Sequence, residues 1–282
     1  MRLARKLLLA IPVSAALAAG QTPSPTAHRG FEVVSIRPAA PDAPDTFVMR
    51  QLGRGVVDLQ RYPLTLIIQS ALHAKPFEIT GLPSWVASAR YDIHAKTAEP
   101  ATALEMWPML LPVLEERFKM QMHREEREKP VYELSVSKSG KLLTVPDANC
   151  WDPRGPMPAP VRVALGQRPF LACDSTLVQN TRPAAKLWGT KIRMPTLISA
   201  LQDLLGRPVL DKTGFMGTFD LALTFARDDS VVSLPPSAEQ TDPSGVPSIF
   251  TTLQEQLGLK LASAKDPVEV IVIDRIERPS DN

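Results

Sequence analysis

Chemistry that can be read from short motifs is nearly missing from this chain. There is no G-x-S-x-G elbow, no H-E-x-x-H helix and no Gly-rich loop ending in Lys-Ser/Thr. That removes the familiar serine hydrolases, zincins and P-loop nucleotide enzymes. The four histidines, His28, His73, His94 and His123, show no ligand spacing. His123-Arg-Glu-Glu lacks the second histidine one turn on that a zinc helix needs, so it reads as a solvated charged turn. No long Lys/Arg run interleaves with aromatics, and no nucleic-acid partner is expected. Beyond the first 20 residues no apolar run is long enough to span a bilayer. No metal or other cofactor is expected, and no catalytic residue is assigned.

Cysteine is scarce too. Only Cys150 and Cys173 occur, without a C-x-x-C spacing, so a redox site is not expected. Their meaning depends on compartment. Residues 1–20 read as a secretory signal peptide, with basic Arg2, Arg5 and Lys6, an apolar run Leu7 to Leu17, and small Ala18, Ala19 and Gly20. The other reading, an uncleaved anchor, needs a run of roughly 20 apolar residues, more than is present. No cysteine follows the small residues, which argues against a lipid anchor. The mature protein is therefore expected outside the cytoplasm, in the periplasm or secreted, and there a cysteine pair reads as a structural disulfide. It would staple a Pro- and Gly-rich loop and contribute about 3 kcal/mol by loop entropy. Removing the leader leaves 29 Lys+Arg against 30 Asp+Glu, a net charge of about −1 that singles out no class of partner.

What is present is pattern. Met194, Leu197, Ile198, Leu201, Leu204 and Leu205 keep helical spacing, with Gly206 as the stop. Asp211 to Gly214 makes a turn, and Phe219, Leu221, Leu223 and Phe225 alternate as a strand. Ser248 opens a helix that Gly258 closes, and two short strands follow, Leu259–Leu261 and Val268–Ile273. A weaker copy runs from Leu64, Ile67, Ile68 and Ala71 through Thr80-Gly81 to the strand Tyr91–Thr97. Its second helix spans Thr102 to Phe118, and Pro108 and Pro112 predict a kink or a start only near Pro108. Met120–His123 and Val131–Val136 then read as a β-hairpin around the charged turn Arg124 to Lys129. The alignment implies an α+β fold built from a duplicated helix–strand–helix–hairpin unit, its helices packed on mainly antiparallel sheet. The expected segments are leader 1–20, lead-in 21–30, first repeat 31–137, stapled loop region 138–190 and second repeat 191–282. Whether the repeats share a sheet or form two lobes is left open.

Candidate residues follow from the alignment. Asp92 and Asp220 come directly after the aromatic residues Tyr91 and Phe219, and His94 shares the polar face with Asp92. They read either as carboxylates for acid–base work or as acceptors for the preceding Thr-Gly turns, Thr213-Gly214 in the second copy. Turn geometry explains the recurrence better. Trp85 and Trp188 read as packing residues before ligand platforms.

Several stretches together, FEVVSIRP, GLPSW with YDIHAK, LEERFKMQMHREEREKPVYELSVSK, GRPVLDKTGFMGTFDLAL and VIDRIERPSDN, resemble a soil-bacterial secreted family. It is known as domain of unknown function 3738, is highly paralogous, and is sometimes fused to antirepressor-type membrane metallopeptidases. The resemblance implies an envelope sensory or binding role and supplies no catalytic residues. The expectation is a non-catalytic module that recognises an envelope protein or a small-molecule ligand. The alternatives are a secreted hydrolase with an unrecognised carboxylate site and a structural envelope protein.

Overall fold

The computed structural model describes residues 30–40, 46–137, 149–153, 167–181, 184–226 and 245–279. Outside the described residues lie the leader at 1–20, the stretch Val161-Arg-Val-Ala-Leu165, whose alternation reads as a short strand, and residues 228–244, most of the Pro-, Ser- and Asp-bearing stretch 228–246 that reads as a loop. The chain is α+β. In its first half come β1 (Phe31–Pro38), β2 (Val48–Gly53), β3 (Val56–Pro63), α1 (Leu64–Leu72), the two-residue β4 (Ile79–Thr80), α2 (Ser84–Ser88), β5 (Arg90–Thr97), α3 (Ala103–Arg117) and β6 (Gln121–Val136). The second half holds β7 (Ser175–Thr181), β8 (Ala184–Ile192), α4 (Met194–Leu205), β9 (Val209–Asp211), β10 (Phe219–Ala226), α5 (Ile249–Thr252), a π-helical turn at Leu253–Leu257, and β11 (Leu259–Arg275).

Two separate cores result. In the first lobe an antiparallel sheet in the order β1-β5-β3-β2 is backed by α1 and α3. The sequence spacing works here as expected, since Leu64, Ile67, Ile68 and Ala71 are all buried. α3 buries Met106, Leu110, Leu114 and then Phe118, each contributing about 1.5–3 kcal/mol. It begins at Ala103, held by a reciprocal Thr102–Glu105 capping box, and so neither starts late nor breaks at its prolines. Pro108 and Pro112 both fall on the exposed side, away from that packed row. In the second lobe the sheet order is β10-β8-β7, covered by α4 and α5. Gly206 ends α4 in a left-handed turn (φ 61°) and Gly258 ends the second helical stretch likewise (φ 63°). Ser248 caps α5 by accepting from the Thr251 amide at 3.2 Å.

The expected hairpins are corrected. Arg124 to Lys129 makes no turn, and β6 runs through it as one strand of 16 residues. Likewise Leu259–Leu261 and Val268–Ile273 are the two ends of one strand of 17 residues. β6 and β11 pair antiparallel from Leu259↔Val136 to Arg275↔Gln121. This ribbon joins the lobes, burying Tyr132, Leu134, Leu259 and Leu261 in the second core and Ile271 and Ile273, with Met120 just ahead of β6, in the first. Short parallel strands flank it only at its ends, β4 beside Ile271–Val272 and β9 beside Tyr132–Leu134. Along its middle each strand has an open edge among the described residues. Pro130 and Pro267 are tolerated there because the missing amide faces no partner, and the charges discourage further strand addition. Charged alternation in the middle of a ribbon reads locally like a turn, which is why the sequence pattern misleads.

Cys150 and Cys173 meet as a disulfide, Cα–Cα 5.0 Å apart, beside a parallel bridge between Trp151 and Ala172. The bond leads straight into β7. No helix among the described residues is long and apolar enough to cross a membrane.

Candidate functional site

Asp92 and Asp220 owe their likeness to a shared backbone irregularity. In β3 the register against β5 slips between Leu59 and Tyr62, and Arg61 takes a left-handed conformation (φ 51°). Its amide donates to Asp92 Oδ1 at 2.7 Å. In β8 the same slip against β10 places Lys191 at φ 46°, and its amide donates to Asp220 Oδ1 at 2.6 Å. A non-glycine residue at positive φ is costly, and a bulge leaves its amide outside the ladder. Each aspartate satisfies that amide. The donors are therefore in the neighbouring strand and not in the Thr-Gly turns. The second turn is held by Asp211, whose Oδ1 accepts the Thr213 amide at 2.8 Å and hydroxyl at 2.6 Å, with Gly214 at φ 65°. In the first, Gly81 is required sterically, since a Cβ there would sit 2.5 Å from the Ile273 carbonyl oxygen.

The three polar candidates are not brought together. Asp92 and His94 stand on the exposed face of the first sheet, in a shallow groove of about 230 Å³ that also includes Asp58 and Arg37. Asp58 and Ser35 are the cross-strand neighbours of His94, and Arg37 is that of Asp92. Asp220 belongs to the other lobe. It is 3% exposed, and Arg168 donates to its Oδ2 at 2.5 Å. Tyr91 and Phe219, one residue before each aspartate, are core residues. Tyr91 stacks edge-on against Phe118 at 5.0 Å, and Phe219 against Phe215 at 5.7 Å. Burial raises the Tyr91 phenol above its ordinary range. Trp85 packs on the first core with Arg278 over its ring at 5.1 Å. Trp188 donates its indole N–H to Gln179 at 3.2 Å.

A larger concavity was not visible in the sequence. Where the lobes approach each other over the ribbon, a cleft of about 600 Å³ opens. The first lobe lines it with Leu72, His73, Ala74 and Glu78, and the second with Gln202, Pro208 and Leu210. The ribbon supplies Arg124, Pro267, Val268, Glu269 and Ile271. Arg124 and Glu269 form an ion pair along the ribbon. Beside the cleft, Lys75 Nζ donates to Asp203 at 2.6 Å, tying the lobes together. His73 terminates α1 in a left-handed turn (φ 49°), which turns the chain toward Lys75. These residues come from five stretches of chain, so no local spacing announces them. The only local signal was a charged run inside strand-like sequence.

Two further polar clusters have evident structural roles. Asp174 receives Arg193, through its amide at 3.0 Å and its guanidinium, and the Thr196 hydroxyl at 2.6 Å. It thereby serves the start of α4. Partial burial pushes its carboxyl up, but the bonds from Thr196 and Arg193 outweigh this and hold it below the usual range. His123 Nδ1 lies 2.9 Å from Asp274 across the ribbon. That hydrogen bond, with a lesser one to the Glu125 carboxylate, raises the imidazole above its ordinary range. Among the described residues no three His, Cys, Asp or Glu side chains are grouped to hold a metal ion.

Two sheeted lobes on a shared ribbon thus define an α+β protein with an interlobe cleft. A family model described as a protein of unknown function, DUF3738, matches residues 65–276, and the chain belongs to that family. No curated protein and no solved structure matches it.

Proposed function

We propose that this protein is a non-catalytic binding module of the cell envelope, and that its ligand sits in the cleft between the two lobes. The observation that carries this reading is the cleft itself. Its volume of about 600 Å³ is that of a small-ligand pocket, and it combines an apolar lining with a few charged groups. Two independently cored lobes linked by a ribbon and a surface ion pair also form an arrangement in which closure around a ligand costs little buried core. An extracytoplasmic location is in keeping with the disulfide.

The finer reading of the fold belongs here too. We take the lobes to be the two copies of a duplicated unit. The supports are the repeated amide-to-aspartate bonds at Arg61–Asp92 and Lys191–Asp220, and the crossed pairings of β4 with β11 and β9 with β6. In that crossing each copy lends the end of its last strand to the other's core.

The test is a photo-crosslinking residue placed at Val268, compared with one at Met216, which is 95% exposed, in cells exporting the protein. A discrete adduct from 268 alone supports the cleft. Equal labelling at both positions, or none at 268, contradicts it. The groove holding Asp58, Asp92 and His94 favours the hydrolase as the second reading. Its test is hydrolysis of an ester and amide panel by the wild type and by His94→Gln, and no difference between them ends it.

A further inference from the structure

The cleft's charges are few and unevenly placed. Among the described residues that line it, Arg124 is the one permanently charged cation, and the Lys75 ammonium beside the cleft is engaged by Asp203 at 2.6 Å. Arg124 donates to Glu269 through one terminal nitrogen, and a guanidinium has five N–H donors, so part of the fork remains for another carboxylate. Glu78, on the first lobe, accepts the Lys75 amide on Oε2 at 2.7 Å, which leaves its other oxygen for a second donor. Leu72, Leu210 and Val268 supply apolar lining from both lobes and the ribbon.

These features discriminate among ligands. A simple anion on Arg124 leaves the Glu78 carboxylate across the cleft without a cation. A simple cation near the ribbon meets Arg124. A molecule carrying both charges and an apolar body satisfies Arg124, Glu78 and the apolar lining at once. We propose that the cleft takes a short apolar peptide with free termini, its carboxylate on Arg124 and its ammonium on Glu78. This rests on the cleft being the ligand seat, and it adds the ligand's class.

The experiment is a methyl-NMR titration of the full chain, read at Leu72, Leu210 and Val268, with leucyl-alanyl-leucine in free, N-acetylated and C-amidated forms. Shifts at these methyls are expected from the free tripeptide, with each blocking group weakening binding at least tenfold. Glu78→Gln should abolish the sensitivity to N-acetylation and keep that to amidation, and Arg124→Gln should do the converse. Binding that ignores both blocking groups overturns the proposal. If the peptides leave the methyls unmoved but a low-molecular-mass envelope fraction shifts them, the peptide class is wrong and the cleft reading survives. If neither moves them, both fall.

Discussion

Asp92 and Asp220 do the same backbone work in surroundings that differ sharply. Each accepts the amide of a left-handed residue in the neighbouring strand. The exposed Asp92 carboxylate faces a shallow, open groove. That of Asp220 is buried and gives its second oxygen to Arg168. The common part is dictated by the bulge, because an unladdered amide must find an acceptor. The difference is set by what lies over each sheet. Among the described residues the first leaves its polar face open, while over the second the stapled loop brings Arg168 down onto Asp220 just ahead of β7. Recurrence of a residue at matching positions therefore identifies a shared structural duty, and any extra duty must be sought in what the two sites do not share.

The comparison can be broken at several points. Opening the staple with Cys150→Ser and Cys173→Ser should cost most, about 3 kcal/mol by loop entropy in urea denaturation. The loss should appear in hydrogen exchange of β7 and β8 before that of β3 and β5. Equal loosening of both sheets would mean that the disulfide serves the whole fold. Next, Asp220→Ala should cost about 2–3 kcal/mol, since a part-buried amide and a guanidinium lose their buried acceptor together. Asp92→Ala should cost no more than about 1 kcal/mol, because water reaches the Arg61 amide. If the two variants were equally stable, the contrast drawn above would be wrong. Lys75→Ala or Asp203→Ala, which cuts the surface tie between the lobes, should cost less than about 1 kcal/mol, while widening the interlobe distance distribution measured by spin labels.

The smallest effect concerns pH. His123 is raised above its ordinary value of 6.5 by its hydrogen bond to Asp274. The fold therefore favours the protonated form. That contribution is complete below about pH 6.5 and fades as pH rises through the elevated folded value. NMR titration should show the elevation, and Asp274→Asn should lower it. An unchanged titration in that variant would remove Asp274 as the cause.

Much of the fold is legible from spacing alone. The apolar rows of α1 and α4, the Gly206 and Gly258 stops, the Ser248 cap and the cysteine pair all follow from local chemistry, and all are found in place. The long ribbon does not. Its two strands lie more than a hundred residues apart in sequence, and a charged, proline-bearing stretch becomes a strand only because another strand pairs with it. The bulges at Arg61 and Lys191 are hidden for a similar reason, as neither residue type advertises a left-handed backbone. Asp92 and His94 could be placed on one face from alternation. The cleft could not, because Glu78, Leu210 and Val268 meet only after the lobes have docked on the ribbon.

The most direct test of the cleft as the ligand seat is native mass spectrometry of the protein purified from cells that export it, wild type against Val268→Trp. The bulky indole fills the ribbon side of the cleft and leaves both cores untouched. The account predicts a bound mass on the wild type that is lost in the variant, with the thermal unfolding of both proteins alike. The same bound mass on both proteins, or none on either, would contradict it.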